Sequence, residues 1–234
     1  MKYKRILLKL SGETLANKDS SLSKEILEYI AHELLDVYNK NIQIGIVIGG
    51  GNILRGGILS QDKYFDRVKS DKMGMLATVI NSIALSNALE QNGIDNILYS
   101  SVNLEGVAKR FLAEEAINNL QNNKVVIISG GTGNPYFSTD TAAVLRALEI
   151  KADCVIKATK VDGVYDKDPV KYSDAVKYDK LDFDTAIEKK LKIMDMTAFT
   201  LCKENNLPIM VYNFYSAGGL LKILGGENIG TVIN

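Results

Sequence analysis

The chain has one histidine, two cysteines and no net charge, with Lys+Arg and Asp+Glu balanced at 28 each over 234 residues. The single His32, set in a helical-looking segment, excludes histidine-rich zinc sites and leaves almost no room for histidine acid–base chemistry. Cys154 and Cys202 lie far apart in apolar contexts and read as reduced thiols rather than a disulfide or metal pair. Balanced charge supplies no global field toward nucleic acid or membrane, so any basic site must be local. The run after Met1–Arg5 is too short for a signal-peptide core and no apolar stretch reaches spanning length, so a cytoplasmic protein is expected.

Several nucleotide-binding signatures are missing too. The segment Gly49-Gly50-Gly51-Asn52-Ile53-Leu54 ends on leucine where the Rossmann fingerprint needs glycine or alanine, and no G-x-x-x-x-G-K-[ST] segment occurs. The protein-kinase motif set is also lacking. Repeats, low-complexity tracts and flexible linkers are not present, and one domain spanning 1–234 is expected.

What is there is a fourfold pattern. Arg5–Leu10 runs into Ser11-Gly12, Ile42–Ile48 into Gly49-Gly50-Gly51-Asn52, Val125–Ile128 into Ser129-Gly130-Gly131-Thr132-Gly133-Asn134, and Cys154–Lys157 into Ala158-Thr159. Buried strands whose carboxyl ends open into such loops describe a parallel sheet with a ligand crevice along one edge. Bare backbone N–H groups and lysines suit phosphate better than an apolar ligand.

Helical patterns alternate with these strands. Ser23 caps a helix carrying Ile26, Leu27, Ile30, Leu34, Leu35 and Tyr38 at helical spacing. A long helix is expected after Ser70-Asp71, with Met73, Leu76, Ala77, Ile80, Ile83, Ala84 and Ala88 on one broad face, as core or as a subunit interface, and ending near Gly93. Further helices are expected near Ala113–Asn119, Asp140–Glu149, Phe183–Lys189 and Met194–Asn205. Strands are expected at Ile94–Ser100, Ile209–Phe214 and Gly230–Asn234, with Val161–Lys180 irregular.

Lys9 and Lys157 place ammonium groups at two strand ends, where each holds a phosphate as a point charge or simply snorkels. Arg55 lies beyond the triple glycine, placed to clamp the same anion. Thr139 and Asp140 stand at a helix start that favours an anion, although either could serve as a cap alone. Tyr165 and Asp168 supply a ring for a base and a carboxylate for ribose hydroxyls or a metal.

In this order, the segments Tyr3–Glu13, Val47–Asn52, Asp71-Lys72-Met73-Gly74-Met75-Leu76-Ala77-Thr78, Gly131–Pro135 and Lys157–Val164 resemble the bacterial uridylate kinases of the amino-acid kinase superfamily. The resemblance runs end to end, and Asp71–Thr78 separates that family from its sisters. It implies an α/β fold, a three-layer αβα sandwich around a central, mostly parallel sheet, with a UMP-side lobe over about 1–150 and an ATP-side lobe over about 151–234. It implies transfer of the γ-phosphoryl of ATP to UMP with Mg²⁺, in pyrimidine nucleotide biosynthesis. Lys9, Leu10, Ser11 and Gly12 would hold ATP phosphates with Gly51 and Arg55, while Thr159, Tyr165 and Asp168 line the ATP nucleoside pocket. UMP would be bound by Gly50, Asp71, Thr132, Gly133, Asn134, Pro135, Tyr136, Phe137, Ser138 and Thr139. Asp71 takes the ribose hydroxyls and Asn134 lies near the uracil. Asp140 matches the position that orients the two lysines, making Lys9, Lys157, Asp140 and Arg55 the catalytic set, and Asp195 matches a family acid. Mg²⁺ would be held mainly by nucleotide phosphates, with no direct protein ligands.

The resemblance also implies a homo-oligomer, a hexamer, with neither nucleic acid nor membrane as partner. The stretch Asn17–Ser23 departs from the glycine- and phenylalanine-containing segment of GTP-activated relatives, and Ser86 and Glu90 replace their basic residues. Both departures argue against GTP activation and leave UTP inhibition through the UMP pocket untouched. The alternatives are a sister kinase acting on a carboxylate or carbamate, and a nucleotide-sensing subunit of the same fold, which would be expected to have lost Lys9, Asp140 or Lys157.

Overall fold

In the computed structural model, which describes residues 3–191, 193–227 and 229–234, nine strands form one sheet. Met1 and Lys2, part of the N-terminal stretch read above, lie outside the described residues. In chain order the strands are β1 (Arg5–Leu10), β2 (Gln43–Ile48), β3 (Asn96–Ser100), β4 (Lys109–Arg110), β5 (Val125–Ser129), β6 (Cys154–Thr159), β7 (Val164–Tyr165), β8 (Lys177–Tyr178), β9 (Lys180–Leu181), β10 (Ile209–Asn213) and β11 (Gly230–Ile233). The main sheet runs β4-β3-β5-β2-β1-β6-β10-β11-β9. Its neighbours pair in parallel except β10 with β11, while β7 and β8 form a separate antiparallel ribbon. The four loop-bearing strands β5, β2, β1 and β6 are contiguous at the centre, so their glycine loops meet along one edge.

The helices are α1 (Lys24–Tyr38), α2 (Gly56–Leu59), α3 (Arg67–Gln91), α4 (Ala113–Gln121), α5 (Thr139–Glu149), α6 (Phe183–Glu188), α7 (Met196–Glu204) and α8 (Gly219–Gly225). Side chains alternate across each strand, so the sheet feeds two cores. Ile6, Leu8 and Leu10 pack with Ile30 and Leu34 of α1, Leu85 and Leu89 of α3 and Leu220 of α8. On the other face Leu7 and Val155 pack with Ala143, Val144 and Ala147 of α5 and with Phe199 and Cys202 of α7. This is the three-layer αβα sandwich expected from the sequence.

The long helix differs from the sequence reading in where it starts and in what its apolar face does. The long helix begins at Arg67, not after Ser70-Asp71, because the Asp66 carboxylate accepts the Lys69 N–H and caps it a turn earlier. Asp71 therefore sits within the helix, one turn in. Of the expected face, Ala77 and Ala88 are buried but Met73, Leu76, Ile80 and Ile83 form an exposed stripe, and the larger buried side chains are Met75, Val79, Leu85 and Leu89, outside that face. A helix that packs on a sheet and on neighbouring helices buries more than one row, and the 73-76-80-83 row is the one left outside. Gly93, with φ +73°, follows the C-terminus as expected.

Candidate active site

The strand period of two carries an apolar row into each lysine. Lys9 follows Leu7 and Lys157 follows Val155 on the face covered by α5, and Lys9 and Lys157 stand opposite each other in the β1–β6 register. Two like charges at paired positions repel unless an anion separates them. Asp140, in the first turn of α5, is that anion: its Oδ1 lies 2.9 Å from the Lys9 Nζ and its Oδ2 2.7 Å from the Lys157 Nζ. Lys157 also donates to the Ile193 carbonyl at 2.6 Å. Lys9 is only 7% exposed, so the chain keeps a buried net positive charge at the sheet edge.

Burial pushes the Asp140 carboxyl up, but the two ammonium groups outweigh it and hold the group below the ordinary carboxylate range. Burial, reinforced by Lys9, takes the Lys157 ammonium below the ordinary lysine value despite Asp140. The trio is thus a charged cradle with one positive charge uncompensated, built for an added anion.

A cleft of about 600 Å³ opens from this cradle. Its walls include Lys9, Ser11, Gly12, Gly50, Gly51, Arg55, Asp71, Thr132, Tyr136, Phe137, Ser138, Thr139 and Asp140 from the sequence-predicted set. The loops after β1 and β2 come so close that a Cβ on Gly12 would collide with the Gly49 carbonyl, which requires glycine there. Asn81, fully buried on α3, donates to the Gly49 carbonyl at 2.7 Å and pairs with the Asn52 amide, holding the triple-glycine turn from behind. Gly130, at φ +77°, turns the β5 loop, and its N–H donates to Thr78 Oγ1 at 2.8 Å.

Four predicted residues are placed elsewhere. Leu10 is a fully buried core residue, and Gly133, Asn134 and Pro135 do not line the cleft; the Asn134 amide is 3.5 Å from the Thr132 carbonyl. Arg55 pairs with the Glu13 carboxylate at the cleft mouth. Asp195 caps α7 through the Ala198 N–H at 3.0 Å and accepts from Thr141 Oγ1 at 3.0 Å and from Ser138 Oγ, tying the start of α5 to that of α7.

A second pocket of about 570 Å³ lies on the other side of Lys157. Thr159, Tyr165 and Asp168 line it together, with Gly163, Lys167, Lys171, Lys189 and Lys190. Strand β6 continues two residues past Lys157, so Thr159 shares its face and donates to the Val161 carbonyl at 2.6 Å. The Tyr165 hydroxyl donates to Asp162 at 2.6 Å.

Sequence reading passed over Arg67, Glu13 as the partner of Arg55, and the Lys189-Lys190 pair. Arg67 carried a signal: it stands four residues before Asp71, the spacing of a helical ion pair, and its Nε is 2.8 Å from the Asp71 carboxylate. Lys189 and Lys190 carried none, since only the tertiary fold brings the end of α6 to β6.

The profile of the amino acid kinase family matches residues 4–213. A uridylate kinase from Wolinella succinogenes is 49% identical over 228 residues, covering 97% of this chain and 95% of the relative. One from Bacteroides thetaiotaomicron is 48% identical over 234 residues, covering 100% and 99%. The crystal structure of the UMP kinase from Bacillus anthracis superposes with a TM-score of 0.96 at 38% identity, covering 100% of this chain and 97% of that one. With the fold, the two-lysine cradle and these relatives in agreement, the chain belongs to the amino acid kinase family, among the uridylate kinases.

Proposed function

We propose that this protein is a uridylate kinase that transfers the γ-phosphoryl group of ATP to UMP, giving UDP and ADP. The observation that carries the reading is the register-paired Lys9 and Lys157 with Asp140 between them, opening into a pocket on either side. UMP occupies the cleft of Gly50, Asp71, Thr132 and Tyr136–Thr139. The ATP nucleoside occupies the pocket of Thr159, Tyr165 and Asp168, and its phosphates run toward Ser11, Gly12, Gly51 and Arg55. The γ-phosphoryl group comes to rest at the cradle, where both substrates meet.

The acceptor is a phosphate oxygen, largely deprotonated near neutral pH because its second pKa is ≈ 6. It needs no general base, in keeping with a chain that has one histidine. It attacks in line, the bond to the ADP oxygen breaks, and Lys9 and Lys157 stabilise charge on the transferring oxygens. Asp140 keeps the two ammonium groups aimed. Arg55, paired with Glu13 in the ligand-free chain, is placed to clamp the arriving phosphate bidentately.

Mg²⁺ would arrive with ATP. It would be held mainly by the nucleotide phosphates, since both Asp140 oxygens are taken by Lys9 and Lys157. When bound, it neutralises charge on the β- and γ-phosphates. The exposed Met73, Leu76, Ile80 and Ile83 row is the surface through which copies of the chain assemble, toward a hexamer; sedimentation velocity reads this directly. No described helix is long and apolar enough to cross a membrane, and the buried Cys154 and Cys202 suit the reducing cytoplasm.

The test is ADP release from MgATP with UMP, CMP, dUMP, carbamate and acetylglutamate offered separately. Turnover strongest with UMP supports the reading. Turnover with a carboxylate or carbamate moves the protein to a sister activity, and tight UMP binding with no turnover makes it a sensor.

A further inference from the structure

We infer that Arg67 is a positioning residue for acceptor specificity, locking the Asp71 carboxylate and the Tyr136 turn into the arrangement that reads a ribose hydroxyl. The inference rests on the assignment of UMP to this cleft. Arg67 opens α3 and its Nε reaches Asp71 Oδ2 at 2.8 Å. The Tyr136 N–H, from the loop across the cleft, donates to that same oxygen at 2.8 Å. Among the described residues both hydrogen bonds fall on Oδ2, which leaves Oδ1 for a ligand hydroxyl. Arg67, Asp71 and Tyr136 all line the cleft.

A second observation points the same way. Tyr136 has φ +71°, a left-handed conformation that a bulky residue keeps only where its surroundings hold it. What holds it is the same pair: Asp71 takes its N–H, and the Arg67 guanidinium lies 5.3 Å from the centre of its ring. Arg67 therefore fixes the carboxylate rotamer directly and the opposing turn through stacking. It touches no reacting atom. Without it, Asp71 is free to rotate and a deoxyribose loses less relative to a ribose.

Steady-state kinetics with UMP and dUMP at saturating MgATP test this in wild type, Arg67→Gln, Arg67→Lys and Asp71→Asn. Arg67→Gln is expected to lower kcat/KM for UMP about tenfold, the order expected for one charge-assisted hydrogen bond, chiefly through KM and with KM for ATP unchanged. Its UMP-to-dUMP ratio should fall toward that of Asp71→Asn, with Arg67→Lys between, and the double variant should be no worse than Asp71→Asn. A purely structural Arg67 would lower UMP and dUMP by the same factor, and an unchanged ratio overturns the inference. If Arg67→Gln does not fold, Arg67→Lys carries the same readout: a ratio equal to wild type is equally fatal. Wild type that fails to phosphorylate UMP removes the functional assignment itself, whereas wild type that discriminates while the Arg67 variants keep its ratio removes only this inference.

Discussion

The cleft on the β5–β2–β1 side and the pocket beyond Lys157 are nearly equal in volume, about 600 and 570 Å³, yet their walls are held in different ways. The cleft is braced from behind by directional bonds. Asn81 holds the Gly49 carbonyl, Thr78 holds the Gly130 N–H, Ser101 Oγ holds the Gly131 carbonyl at 2.8 Å, and Asp71 holds the Tyr136 N–H. The second pocket is walled by the two-stranded β7–β8 ribbon, the 166–172 turn and the end of α6, joined in part by exposed ion pairs such as Lys167–Asp174 at 2.6 Å. Exposed pairs of this kind contribute about 0–1 kcal/mol each. A rigid wall of fixed dipoles discriminates between similar ligands, while a lysine-rich wall on small elements attracts charge and adapts to it. On the proposed assignment, the first reads the small acceptor, and the second takes the ATP nucleoside, whose phosphates run on toward the cradle and the loops after β1 and β2.

The cradle between them belongs to both, so breaking it should have the largest effect. Lys9→Ala or Lys157→Ala is expected to lower kcat about 10²–10³-fold, as removal of a preorganised charge stabiliser does, with KM for UMP raised far less. Lysine variants that raise both substrate KM values and leave kcat intact would reduce the cradle to a binding site. The two sides should then separate by about tenfold in opposite columns. Tyr165→Ala raises KM for ATP and not for UMP, whereas Asp71→Asn raises KM for UMP and not for ATP. Each KM is measured with the other substrate saturating. If either substitution moves both values equally, the two pockets are not independent.

That division also explains what could be read from the sequence. Strand ends announce themselves: Lys9, Gly12, Gly49–Gly51, Gly130 and Lys157 each follow an apolar run, and the sheet order makes those runs neighbours. The direct opposition of Lys9 and Lys157 is a matter of register, which no local pattern carries. Asn134 illustrates the opposite failure, because a residue within a recognisable segment need not face the cleft; turn geometry at Gly133, φ +82°, decides where its side chain goes. Arg67 becomes legible through its spacing to Asp71 once the helix start is known, and the cap at Asp66 sets that start a turn before Ser70-Asp71, where the sequence reading put it. The lysines at the end of α6 reach the second pocket through tertiary packing alone.

The smallest effect is a pH dependence that pulls activity and stability apart. Burial and the nearby Lys9 hold the Lys157 ammonium below its ordinary 10.5 in the ligand-free chain. The protonated form serves the reaction, so kcat/KM, which reports the free enzyme, should fall as pH rises through that lowered value, earlier than an ordinary lysine would permit. Stability moves the other way. The unfolded chain, with its lysine at the ordinary value, binds more protons in that window, so the folded state gains stability as pH climbs from the lowered pKa toward 10.5. Measured against Lys157→Met, which cannot titrate, the wild-type stability curve should rise across the window while kcat/KM drops a few-fold, roughly in step with loss of the protonated fraction. Occupancy of the cradle by phosphate adds negative charge beside Lys157 and raises its pKa, so the same limb in kcat should lie at higher pH than in kcat/KM. Coincident limbs in kcat and kcat/KM would mean that the bound phosphate does not sit against Lys157, and would move the transferring group out of the cradle.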